Sequence, residues 1–306
     1  MPSSSPMMRS GFSDLMYPGL NKAYMLAYNE YPVEYTKYLN LDTSTKRKEE
    51  DAAVAGFGLI PEKDEGDTPI FDVMEYIDKL EYLHKTYVMG YEVTEECMED
   101  ELYGIIRQAS RALAVSVKQT VDTLCISPLD NSFTDSSAYH GVDGKPLCST
   151  AHPAQKTGTE VANKPTIDCD FDPTALKDGL LTWEEWTNDN DLPLLIRPKY
   201  IVSGPGQRGI IGQTLGTEKE PFVADNEINA VREWGLERII LHYLNDPDAW
   251  WILSRPADHF MKMFWRKRPA FRNYDDPNTG NARFLVRFRL SKGFTHWWGV
   301  YGSSGG

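Results

Sequence analysis

The sequence predicts an α+β fold. Three observations carry that reading: one long run of helical period lies in the first half of the chain, short apolar runs of strand length fill the second half, and strands and helices do not alternate as a wound parallel sheet requires. With 306 residues, 41% of them hydrophobic and 25% charged, the chain can bury one large core or two modest ones. Aromatic residues reach 12%, with 8 Trp and 16 Tyr, a composition that suits extensive contact surfaces. Asp and Glu outnumber Lys and Arg by 45 to 32, and the net charge of −13 argues against binding nucleic acid through its phosphates.

Residues 1–10, rich in Ser, Pro and Met, read as a disordered tip, and Pro18-Gly19 as a turn. From Leu20 to Tyr31 the spacing of Leu20, Tyr24, Met25 and Tyr28 predicts a helix stopped by Pro32, with Val33 to Tyr38 adding one or two turns. Residues 1–42 together resemble an arm that needs something else to lie on. Between 43 and 93 the charged run Lys46 to Asp51 leads through Ala-Val-Ala-Gly-Phe-Gly-Leu-Ile to a polar tip at Pro61 to Asp67, after which Leu83, Tyr87, Met89, Tyr91 and Val93 take one parity. Two extended arms joined by such a tip predict a long hairpin with little core of its own, reaching for a partner.

The strongest periodicity runs from Thr94 to Leu124, where Met98, Leu102, Ile105, Ala109, Leu113, Val117, Val121 and Leu124 recur at steps of three or four. Thr94 is its expected cap, Glu95, Glu96, Glu99 and Asp100 favour its positive end, and Pro128 is expected to end it. After a loop-rich stretch from Asn131 to Pro153, Asp172-Pro173 opens a second helix to about Trp186 carrying Leu176, Leu180, Leu181 and Trp183. Leu192 to Val202, Ile239 to Leu244, Trp250 to Leu253, Phe284 to Leu290 and Phe294 to Tyr301 read as strands, and residues 209–216 as a short glycine-rich stretch.

Little of this looks like catalytic machinery, and no catalytic, cofactor-binding or metal residue is expected. Ser203 lacks the G-x-S-x-G context of a hydrolase nucleophile. The run Gly204-Pro205-Gly206-Gln207-Arg208-Gly209 lacks the Gly-Lys-Ser/Thr ending of a phosphate loop and reads as a flexible connector. The four cysteines at 97, 125, 148 and 169 form no C-x-x-C pair and suit reduced thiols, and His140, Cys148, His152 and Cys169 lack the close pairing of zinc ligands. Asp168, Asp170 and Asp172 alternate as a row that could face one cation, read here as a solvated edge. The basic cluster Arg266, Lys267, Arg268, Arg272, Arg283, Arg287 and Arg289 lies among Phe264, Trp265, Phe271, Phe284 and Phe288, a setting for Arg–aromatic packing or a subunit contact. No stretch has the length and apolarity of a membrane span, and the N-terminus lacks a signal-peptide core, so a soluble chain made in a cytoplasm is expected.

Four segments in order resemble one family. Asp143-Gly144-Lys145-Pro146-Leu147-Cys148-Ser149-Thr150-Ala151-His152-Pro153 is similar to a stretch of phage major capsid proteins of the Mu-like major head subunit group, in which an aromatic often stands at the position of Cys148. Leu194 to Tyr200 resembles the family's proline-ended strand, Tyr243 to Trp250 its strand-turn-strand, and Arg289 to Tyr301 with Gly302-Ser303 its terminal segment. The first 140 residues match by layout rather than by motif.

The resemblance implies the Hong-Kong-97-type capsid fold, with an N-terminal arm (1–42), an extended hairpin called the E-loop (43–93), a P-domain spine helix (94–125), a region that is mainly A-domain (126–260) and C-terminal strands completing the core (261–306). It further implies a homo-oligomer of hexameric and pentameric capsomers that encloses double-stranded DNA without sequence-specific binding, in the virion of a tailed phage. A portal, a decoration protein and a separate scaffold protein are the implied partners, with no membrane and no cofactor. An acidic wall that does not adhere to packaged DNA accords with the net charge. The competing readings are a metal-dependent hydrolase using Asp168, Asp170, Asp172 and His152, and another virion component such as a portal or tail protein.

Overall fold

Among the described residues, two four-stranded sheets and two short ribbons organise the chain. The structure is a computed structural model that describes residues 11–54, 56–66, 68–69, 71–72, 76–94, 96–97, 103–154, 156–219, 221, 228–275 and 281–306. The first sheet has the order β1-β10-β11-β4, formed by β1 (Asn40–Thr43), β4 (Lys85–Val93), β10 (Met261–Asp275) and β11 (Ala282–Phe294). The second has the order β12-β9-β7-β8, formed by β7 (Tyr200–Ser203), β8 (Glu237–Ile240), β9 (Trp250–Leu253) and β12 (Val300–Ser303). The ribbons pair β2 (Lys48–Val54) with β3 (Tyr76–Leu83), and β5 (His152–Pro153) with β6 (Glu160–Val161).

Helix α1 (Gly11–Glu30) runs straight through Pro18-Gly19, where a turn was expected. Leu20, Ala23, Tyr24 and Ala27 repeat at helical spacing and are buried, while Met25, expected inside, is exposed. Tyr24 stacks on Phe271 of β10, and Tyr17 stacks on the same ring and donates to the Phe271 carbonyl at 2.9 Å. That packing outweighs the one helical bond a proline removes. The segment read as an arm in need of a partner therefore lies on its own chain's core.

Helix α2 (Tyr103–Asp130) packs on α1 and on the first sheet, and buries Ile106, Leu113, Ala114, Val117, Val121, Ile126 and Leu129. Its length is about 42 Å at 1.5 Å per residue. The helix continues past the expected end and takes Pro128 into its last turn, because Ile126 and Leu129 are anchored in the core on either side. At the other end residues 96 and 97 are helical, and Cys97 N–H donates to Thr94 Oγ1 at 3.4 Å, as the expected cap requires. Met98, Leu102, Glu95, Glu99 and Asp100 fall outside the described residues. Ile105, assigned to the buried face, is exposed, and Ile106 takes its place.

Every residue of β7 except Tyr200, and all of β9 and β12, is buried, because the second sheet is covered on both faces. Val202, Trp251, Leu253 and Val300 point into the core shared with α2 and the first sheet. Ile201, Trp250, Ile252 and Tyr301 point into a second core with Leu176, Leu180 and Trp183 of α3 (Pro173–Glu184) and Ile211 of α4 (Arg208–Gly216). Continuous apolar runs such as Trp250 to Leu253 are the sequence trace of that two-sided burial. Asp172 caps α3 by accepting from Ala175 N–H at 2.7 Å, with Pro173 at its first position, as the sequence predicts.

Four other expectations change. Leu192 to Val202 is strand only from Tyr200, and Ile239 to Leu244 is replaced by a strand that starts earlier and ends at Ile240. The last strand is Val300–Ser303, beginning after a turn at Gly299, whose φ of 80° suits glycine. The connector at 204–209 is a 3-10 turn leading directly into α4, held by burial of Ile211 and Thr214.

Candidate assembly surface

The residues considered for chemistry are each occupied, and separately. Asp168 pairs with Lys164 at 2.7 Å and accepts from Ser304 N–H, Asp170 accepts from Gly306 N–H at 3.1 Å, and Asp172 is the cap of α3. The expected solvated row is thus a ledge for the C-terminal tail. His140 contacts Asp135 at 2.7 Å, Cys148 is buried, and Cys169 bonds Ser303 through its backbone N–H. Burial pushes the Cys148 thiol well above its ordinary range. Among the described residues no three His, Cys, Asp or Glu side chains form a group that could hold a metal ion.

His152 belongs to a clasp instead. Asn163 Nδ2 donates to the carbonyls of Leu147 (2.7 Å) and Val300 (2.9 Å), which fixes its amide, so its Oδ1 faces Ser149 N–H (2.8 Å) and His152 Nε2 (3.0 Å). His152 Nε2 must then donate, and Nδ1 lies 2.6 Å from Asp143 Oδ2. The ring stacks on Trp297, centroids 4.8 Å apart. A Cβ at Gly302 would meet Trp251 at 2.5 Å and Cys148 Sγ at 3.0 Å, so these segments close on one another without a spare atom. Two of the segments of the family resemblance, 143–153 and the end of 289–303, meet here beside the second sheet.

Two surfaces remain without such an explanation. The first is the β2–β3 hairpin, narrower than the expected 43–93: its second arm turns at His84, after which β4 leaves the hairpin and pairs with β11 from Leu290↔Lys85 to Ala282↔Val93. The hairpin is tied down at both ends. Asp51 contacts Lys262 and Thr295 at its base, and near its tip Asp72 pairs with Lys156 at 3.2 Å while Gly56 O accepts from Asn190 Nδ2 at 2.9 Å. Phe57, Leu59, Ile60 and Phe71 are exposed there, Ile60 at 95%.

The second surface is the outward side of β10 and β11. Phe284, Val286, Phe288 and Leu290 face the core, and Arg283, Arg287 and Arg289 alternate with them on the other face. The register sets Lys267 opposite Arg289, Ala270 opposite Arg287 and Arg272 opposite Leu285. The expected Arg–aromatic mixing is therefore resolved into an aromatic inner face and a basic outer one. His84 marks where Arg266 and Arg289 converge: burial lowers its pKa, and both guanidinium charges push it the same way against Glu49. Arg283 pairs with Glu92 at 3.1 Å. Arg268 departs from the cluster, its charge acting on Tyr28 of α1. Gly90 of β4 pairs with Leu285 within this sheet, and a Cβ there would meet the Phe284 carbonyl at 2.3 Å.

An arm helix, a long core helix lying on a sheet, and a projecting hairpin define the Hong-Kong-97-type capsid fold. Solved shells share it. The chain superimposes on a chain of Microbacterium phage Oxtober96 with a TM-score of 0.57 at 10% identity, covering 90% of this chain and 92% of that one. For the mature capsid of bacteriophage PhiM1 the values are 0.54, 13%, 89% and 86%, and for a virus-like particle from Pyrococcus furiosus 0.53, 10%, 93% and 97%. A family model described as phage capsid protein matches residues 78–302, and the chain belongs to that family. No curated protein matches it by sequence.

Proposed function

We propose that the chain is the major head subunit of a tailed phage, of the Mu-like major head subunit group, and that it closes as hexamers and pentamers into an icosahedral shell around double-stranded DNA. The observation that carries this is the family match over residues 78–302, combined with a fold shared over 92% of the matched chain of Microbacterium phage Oxtober96. In this reading residues 1–42 are the arm, the hairpin up to its turn at His84 is the E-loop, 94–125 the P-domain spine helix, 126–260 mainly A-domain, and 261–306 the strands that complete the core. The role is geometric: rigid cores are joined by segments that adapt to five- and six-fold surroundings. Many contacts of about 1–2 kcal/mol each make a closed shell persistent while single additions stay reversible. A scaffold protein, a portal and a decoration protein are the partners such a shell takes, and the DNA is enclosed without sequence readout. Among the described residues no helix is long and apolar enough to cross a membrane. Electron microscopy of the purified, overexpressed chain tests the reading: closed shells or tubes are expected, and isolated rings would assign the chain to a portal or tail role instead.

A further inference from the structure

We propose that the groove bounded by the last turns of α2, the loop at 137–140 and the ends of β3, β4 and β11 is a binding site for a small amphipathic carboxylate, an acid with an alkyl or aromatic body whose charged end seats on Lys292. The inference goes beyond the shell-subunit reading and does not depend on it.

The groove has a volume of about 440 Å³, within the range of about 300–1,000 Å³ usual for small-molecule sites. Leu83, Tyr87, Leu124, Pro128, Leu290 and Phe294 give it apolar walls. Two cations break that surface. Lys292 continues the inward parity of Phe288 and Leu290 on β11, Lys85 of β4 stands opposite Leu290, and both line the groove.

Neither amine finds an anion in its own chain. Lys292 is half-buried, and among the described residues neither it nor Lys85 makes a hydrogen bond or an ion pair. Burial lowers the pKa of Lys292, and the charge of Lys85 pushes it the same way. The acids close by are engaged elsewhere: Glu81 with Lys48, Asp135 with His140, and Asp130 with Asn245. The C-terminal end of α2, where the helix dipole would favour a cation, accepts no bond from either lysine. A carboxylate supplies the missing charge, and apolar walls strengthen its bond to an ammonium. An apolar body attached to that carboxylate covers Leu83 and Leu124. Nucleic acid is the disfavoured occupant, since its phosphates would leave those walls wet and would approach a molecule of net charge −13.

Titration of the full chain with decanoate, followed by calorimetry and thermal unfolding, tests the site. Wild type is compared with K292Q, which removes the charge, and with A138W, which fills the mouth of the groove from an exposed loop position and leaves Lys292 in place. Circular dichroism confirms that each variant is folded. Wild type is expected to bind decanoate saturably and to unfold at a higher temperature when it is bound. K292Q is expected to bind about tenfold more weakly or worse, the loss that one hydrogen bond to a charged group carries. A138W is expected to lose binding with its charge intact, and decylamine, with the same chain and the opposite charge, to leave wild type unoccupied. Absence of saturable decanoate binding by wild type, equal binding of decylamine, or binding as tight as wild type in both variants would overturn the inference. Shell formation is read separately by microscopy, so either reading can fail while the other stands.

Discussion

Asn163 shows how much one side chain holds. Its amide joins two carbonyls, one backbone N–H and the His152 ring, linking residues 147–163 to β12. Asn163→Ala strands those buried groups, at about 1–3 kcal/mol each. Its thermal midpoint is expected to drop by on the order of 10 °C relative to wild type, the coupling being about 2–4 °C per kcal/mol in a chain of this class; a midpoint within a degree of wild type would show that the clasp carries no load. His259 and His296 provide a pH signature. Burial lowers both to about 4, so the native chain holds them neutral, whereas the unfolded chain takes up a proton on each near about 6.5. The unfolded state binds more protons between those values, so stability is expected to be full above about 6.5 and to be lost as pH falls towards 4. Denaturant midpoints at neutral and mildly acid pH measure the loss. His259→Asn, which retains an acceptor for Met261 N–H, should lessen it.

The elements that were legible in the sequence are those with uninterrupted period or a capping residue. Helix α2 was visible from Leu113, Val117 and Val121, and α3 from Asp172-Pro173, since in both cases local preference and tertiary burial agree. Strand β10 was not. Arg266, Lys267, Arg268 and Pro269 interrupt its alternation, and bulges between Trp265 and Lys267 and between Lys267 and Ala270 change which parity faces the core. A strand re-phased twice has no fixed period to read. Helix α4 was hidden by its glycines, and the first half of α1 by Pro18-Gly19, because burial of Ile211 and of Leu20 and Tyr24 overrides weak local preference. The basic face had the same difficulty: its residues were all identified, but only the register divides them into the two sides of a sheet. For the hairpin, whose two arms were legible, the expectation concerns exposure. Lys63 lies exposed at its tip, so trypsin is expected to cut the free subunit there first and to spare the same bond in assembled shells. Equal cleavage in both states would show that the tip has no neighbour.

At the scale of the whole molecule, two cores share one sheet. The second sheet contributes Trp251 and Leu253 to one core and Trp250 and Ile252 to the other, so the halves cannot separate without exposing both. The family was legible at this scale through four short segments, of which 143–153 and the end of the last close around Asn163 and Gly302. The central claim is that this molecule works only in many copies, each in a slightly different setting. A cryo-electron-microscopy reconstruction of particles formed by the full chain tests it most directly. The account predicts a closed shell with this fold at both five-fold and six-fold positions and the hairpin lying across a neighbouring copy; a single ring of subunits, or a shell in which each hairpin rests only on its own chain, would contradict it.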